Sequence, residues 1–209
     1  MSLVLGKIHY WLYNKIQWFE AIEEDIILWA GENGLPVREW TEEINDRFGH
    51  PTYGKPLENE IDTSNIHGWL QQKIQSAELR QADLITRILN HDKSHMDELI
   101  KIYSDQGGKA ASEYGVCVDS AEDIFQALNN YLLEGMPCDR VMEVVSSNIN
   151  EVVWQRSACL HKPYWDRVRG DVKYFYSLRE AWISSFVEML NHDFRYKRNQ
   201  DGTCSIFKI

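Results

Sequence analysis

The sequence predicts an all-α fold, a multi-helix up-and-down bundle that ends in a short extended C-terminal tail. Three features carry that prediction. Long segments repeat apolar residues at helical spacing, clusters of Gly and Pro punctuate them, and alternating strand patterns are nearly absent. The 209 residues are expected to form a single helical-bundle domain, a length that supports a substantial core.

Residues 4–30 read as a long amphipathic helix with Ile8, Leu12, Ile16, Phe19, Ile26 and Ala30 on one side. Gly31, Gly34 and Pro36 end it, and a shorter helix is expected over 37–47. HPTYGKPLENE then breaks any period and reads as a connection. The cluster Asp62-Thr63-Ser64 can cap a helix running to about residue 104, with Ile66, Leu70, Ile74, Leu84, Ile88 and Leu99 inward. GGKAASEYG interrupts that pattern, and Asp119 or Ser120 can cap a helix over about 120–133. Gly135 and Pro137 separate it from a further helix over roughly 138–160, and Pro163 marks a turn or a fresh start. The last helix covers about 171–193, with Val172, Phe175, Trp182, Phe186 and Met189 inward, and Thr203–Ile209 forms the extended tail.

IHYWLYNKIQWFEA (8–21) and IHGWLQQKIQSAEL (66–79) match at Ile, His, Trp, Leu, Lys, Ile and Gln, displaced by 58 residues. Glu20 and Glu78 match as well, as do Asp25 and Asp83. Duplicated helical hairpins account for this, and so does a chance match of common helix composition. Under either account, the two His-x-Trp segments belong at similar positions near helix starts.

Composition narrows the function classes. A formal charge of -10 and one short basic run, Arg195–Arg198, argue against nucleic acid as a partner. The sequence holds no run of eighteen apolar residues, so no membrane partner is expected. The opening MSLVLGKIHYW lacks a signal-peptide pattern, and Cys117, Cys138, Cys159 and Cys204 form no zinc-knuckle or CxxC spacing; a soluble, cytoplasmic protein is expected. Eight Trp and ten Tyr suit a large core and a subunit interface, hence a homo-oligomer.

The chemistry narrows to a few side chains. His91 and His95 stand four apart in the expected helix, so both imidazoles can grip one divalent metal, zinc or iron. Glu23 interrupts the inward run between Phe19 and Ile26, where an unpaired carboxylate is costly; it is the third expected metal ligand, with Arg, His or water as other partners. Glu20 and Glu78 fall nearer the edge. On a straight helix His67 lies about 36 Å from His91 at 1.5 Å per residue, so the histidines cannot share one centre. Arg156, following Ile149 and Val152, and Arg179, between Phe175 and Trp182, interrupt inward stripes and need acceptors: internal carboxylates or an anionic ligand. Asn148 and Gln81 can extend that polar network as ligand-binding residues. Cys159 and His161, two apart, project away from each other on a helix and make a poor nucleophile–base pair. No phosphate loop, GxSxG elbow or EF-hand loop occurs.

The His91-x-x-x-His95 element resembles parts of the DinB-like metal-dependent families and of the chemoreceptor zinc-binding domain. The first likeness implies a further histidine on a neighbouring helix, and the second a cysteine before Gly-x-Trp; the latter element is missing here. The Glu-x-x-His pairs of ferritin-like di-iron bundles are absent too. The expectation is therefore a helical protein that holds a small ligand or a single metal ion in its interior, with any reaction unassigned. The alternative is a noncatalytic interaction or regulatory bundle acting as an oligomer.

Overall fold

A computed structural model describes residues 5–209. In chain order its helices are α1 (Lys7–Glu32), α2 (Val37–Phe48), α3 (Leu57–Glu60), α4 (Ile66–His91), α5 (Met96–Tyr114), α6 (Ala121–Leu128), α7 (Lys162–Arg167) and α8 (Val172–Leu190). The strands are β1 (Met142–Ser147), β2 (Glu151–Arg156), β3 (Phe194–Arg198) and β4 (Cys204–Lys208). They form one antiparallel sheet in the order β1-β2-β4-β3, so the fold is mostly helical but not all-α, and the up-and-down bundle gives way to a helical unit and a helix-covered sheet. Among the described residues no helix is long and apolar enough to cross a membrane.

The expected helix over 138–160 is the source of the error. Ile149, Val152 and Arg156 happen to fit a helical stripe, yet Val144, Val145, Val152 and Val153 are β-branched and flank Ser-Ser-Asn-Ile-Asn, a strand–turn–strand signal. Asn148 closes that turn by accepting from the backbone amides of Asn150 and Glu151 at 2.9 and 3.1 Å.

The chain divides into two compact units. Among the described residues, the first comprises the chain as far as His95, with Leu133–Met136 and His161–Val172 added from later in the sequence. Here α1 and α4 run parallel, because their contacts ascend together: His9 with His67, Tyr13 with Trp69, Glu20 with Arg80, Trp29 with His95. α2 runs antiparallel to α4, pairing Trp40 with His91, Glu43 with Arg87 and Arg47 with Asp83. The 58-residue match thus lies side by side, with the His9 and His67 rings edge-on at 5.8 Å near the two helix starts. Each copy also lays its lysine over its tryptophan: Lys15 on Trp11 at 3.6 Å and Lys73 on Trp69 at 5.4 Å. Leu12, Ile16, Leu57, Leu70 and Ile74 pack with Leu133 and Met136 in the apolar core.

The expected helix from 62 to 104 breaks within the stretch His91–His95. Asp92 is extended, its carboxylate accepts from the Ser94 amide at 2.8 Å, and Lys93–His95 form a 3-10 turn. By contrast, Gly107-Gly108 does not interrupt α5. A Cβ on Gly107 would sit 2.2 Å from the carbonyl oxygen of Trp182, so the glycine admits the backbone of α8. Gln106 then accepts from the Trp182 indole at 2.9 Å. These elements belong to the second unit, which comprises Met96–Leu132, Pro137–Leu160 and Lys173–Ile209. Its sheet packs against α6, with the Phe125 and Trp154 rings 4.9 Å apart. The C-terminal tail forms β4 and lies inside the sheet, between β2 and β3.

Candidate functional site

The first unit buries an unusual amount of charge. Glu20 and Glu23, one helical turn apart on α1, both face Arg80 on α4. Arg80 Nη2 donates to Glu20 at 2.5 Å, and its Nε reaches both oxygens of Glu23 at 3.1 Å. Its Nη1 donates to Ser76 Oγ at 2.6 Å and to the Gly49 carbonyl at 3.2 Å, so each nitrogen of the guanidinium has an acceptor. Glu20 also accepts from the Thr52 amide and hydroxyl at 2.9 and 3.0 Å. Burial pushes the Glu23 carboxyl up to about 7, against the pull of Arg80 and aided by the Glu20 charge.

A second buried cluster centres on His161. Its Nδ1 lies 2.8 Å from Glu78 Oε1 and its Nε2 lies 3.4 Å from Glu134. Burial alone favours the neutral ring, but the two carboxylates outweigh it and hold the imidazolium up to about 9. The second oxygen of Glu78 is buried and meets no donor among the described residues. Both clusters are closed: Glu20, Glu23, Glu78, Arg80 and His161 are all under 5% exposed. They stitch helices together, and of their charged members only Glu134 is partly exposed.

The expected metal set is not brought together. His91 and His95 do approach, rings stacked at 6.0 Å, but across the helix break rather than along a helix, and with Trp40 and Trp29 edge-on beside them. Glu23 is instead committed to Arg80. Among the described residues no three His, Cys, Asp or Glu side chains gather so as to hold a metal ion. The expected ligand-binding set is dispersed as well. Gln81 is buried in the first unit and donates to the Phe19 carbonyl at 3.3 Å. Asn148 is an exposed turn residue. Arg179 is buried with its guanidinium over the Phe175 ring at 5.5 Å. Of the four, Arg156 lines a cavity.

That cavity belongs to the second unit, and strand alternation builds it. On β2, Val152 and Trp154 face the core and Arg156 continues the same face two residues on. On β3, Phe194, Tyr196 and Arg198 form the equivalent row. Register places Arg198 opposite Cys204, and Cys204 opposite Trp154. The apolar rows therefore end in guanidinium groups at one end of the sheet. Tyr176 of α8 lies between them, with Arg198 at 4.7 Å and Arg156 at 5.8 Å from its ring. The Tyr176 hydroxyl donates to Cys159 Sγ at 2.9 Å. Arg156, Ser157, Cys159, Tyr176, Arg198 and Gly202 surround a volume of about 390 Å³.

The local field there is donor-rich. Arg198 is also paired with Glu180 at 2.9 Å, which fixes the direction of its guanidinium and raises its pKa. Trp154 Nε1, two residues before Arg156 on the same face, is buried and meets no acceptor among the described residues. Beneath, Tyr196 donates to Cys204 Sγ at 3.3 Å; burial raises the phenol's pKa, and the hydroxyl stays protonated. Sequence reasoning singled out Arg156 but missed Arg198, Tyr176 and the place of Cys159. The findable signal was the strand alternation of FRYKR, which puts Arg198 on the side of Phe194. Compared with known protein families, with curated proteins and with solved structures, the chain matches none.

Proposed function

We propose that the protein binds a small anionic molecule in the cavity between β2, β3 and α8. The observation that carries this reading is the convergence of Arg156 and Arg198 on one Tyr176 ring at the wall of a cavity of about 390 Å³. Guanidinium groups take carboxylate or phosphate oxygens in pairs, and a charge-assisted hydrogen bond contributes about 1.5–3 kcal/mol. The aromatic face holds both cations in place before the ligand arrives, which lowers the ordering cost of binding. The volume falls within the range usual for sites of small metabolites.

The test is calorimetric titration of the full chain with small dicarboxylates and with inorganic phosphate, set beside neutral amides of the same shape. Binding of an anion, and its weakening by about tenfold or more in Arg156→Gln and Arg198→Gln, is the expected result. A chain that binds anions no better than their neutral amides, or whose binding ignores both substitutions, overturns the reading.

A further inference from the structure

We propose that Cys159 is a covalent acceptor in that cavity, forming a mixed disulfide with an anionic low-molecular-weight disulfide. The inference rests on the anion-binding reading of the same site. Its geometry is that of a thiol set among groups that select its partner. Cys159 Sγ is half-buried in the cavity wall, shares that wall with Arg156 and Arg198, and accepts a hydrogen bond from the Tyr176 hydroxyl at 2.9 Å. The phenol donor fixes the position of the sulfur at the cavity wall, where an incoming disulfide meets it. The two guanidiniums supply a positive field that attracts an approaching carboxylate.

The other three cysteines differ. Cys117 and Cys138 are exposed, and Cys204 is buried against Tyr196 with Arg198 opposite it on β3. Cys159 thus combines access, a hydrogen-bond donor at sulfur and flanking cations in one place.

In the step itself, the Cys159 sulfur loses its proton and attacks one sulfur of the incoming disulfide. A new S–S bond forms, the old one breaks, and its electron pair leaves with the departing thiolate, which takes up a proton. Cys159 is oxidised to the mixed disulfide, and the departing half is reduced to a free thiol. The carboxylate of the bound half stays against Arg156 and Arg198. No other oxidant is needed.

The experiment uses two disulfides of matched length and opposite charge, dithiodipropionate and cystamine, on the full chain, with peptide mass mapping of the early adducts. Cys117 and Cys138 serve as internal references. The expected result is an anionic-over-cationic labelling ratio at Cys159 about tenfold or more above that at Cys117 and Cys138. In Arg156→Gln and Arg198→Gln the ratio falls toward the references. In Tyr176→Phe the Cys159 labelling rate falls while the charge ratio stays. Equal ratios at all three cysteines overturn the proposal. Titration with succinate, which cannot exchange, separates the two readings. Succinate binding without anionic preference at Cys159 removes the thiol step alone, whereas no binding and no preference removes the anion site with it.

Discussion

Replacing His161 with Leu removes a cation shared by Glu78 and Glu134, and the size of the effect follows from the geometry. The imidazole is fully buried, with Glu78 at 2.8 Å and Glu134 at 3.4 Å. Removing one partner of a buried ion pair costs about 3–5 kcal/mol, because the charge left behind is unsolvated. The raised pKa gives a second figure from the same geometry. The ring titrates near 9 in the folded chain against 6.5 for a free histidine. At about 1.4 kcal/mol per tenfold change in proton affinity, the stabilisation is on the order of 3 kcal/mol. Its sign is set by the raised pKa. Below 6.5 both states carry the proton and the contribution is fully present; between 6.5 and about 9 the unfolded chain has lost its proton while the folded chain retains it, and stability falls as pH rises. The assay is denaturant unfolding at intervals from pH 6 to 10, with ring-proton NMR reporting His161 directly. Wild type loses stability across that window and His161→Leu loses that part of the slope. Stability that rises with pH over the window, or an equal slope in the variant, refutes the reasoning.

Three further outcomes are expected. Arg80→Ala strands Glu20 and Glu23 in the interior and destabilises by about 3–5 kcal/mol, whereas adding Glu20→Gln and Glu23→Gln recovers part of the loss; unfolding midpoints in urea measure both. Glu23→Gln flattens the stability profile between pH 4.5 and about 7, since the folded carboxyl holds its proton through that interval and wild-type stability falls as pH rises across it. Gly107→Ala pushes a methyl to 2.2 Å from the Trp182 carbonyl oxygen, which forces α5 from α8 and costs about 2 kcal/mol or more, read as a drop in Tm.

The helices whose apolar stripe is long were legible in the sequence, because burial of one face writes a period into the residues: α1, α2 and α8 lie close to where periodicity puts them. The need of Glu23 for a partner was legible too, since desolvation cost depends on position along its own helix. The identity of that partner was not: Arg80 lies 57 residues away, and Glu78 lies 83 residues from His161. Local phase also misjudged Glu20 and Glu78 as edge residues, because a helix packed on several sides buries positions outside its main stripe; α4 is buried almost continuously from Ser76 to Leu89. The sheet was hidden by a coincidence at Ile149, Val152 and Arg156, whose spacing fits a helix while the Val pairs beside them fit strands. For the same reason Arg156 was placed on a helix rather than on β2, and Arg198 was noted only as the end of a short basic run.

One feature of the chain's layout constrains how it can be made. Glu134 and His161 emerge from the ribosome long after Glu78, yet all three meet inside a unit whose bulk is the first 95 residues. A nascent chain stopped there carries a carboxylate destined for burial and no imidazole to neutralise it. The amino-terminal unit therefore reaches its final packing only after residue 172 is synthesised, and a fragment cut at the apparent boundary near residue 95 is an unfinished piece.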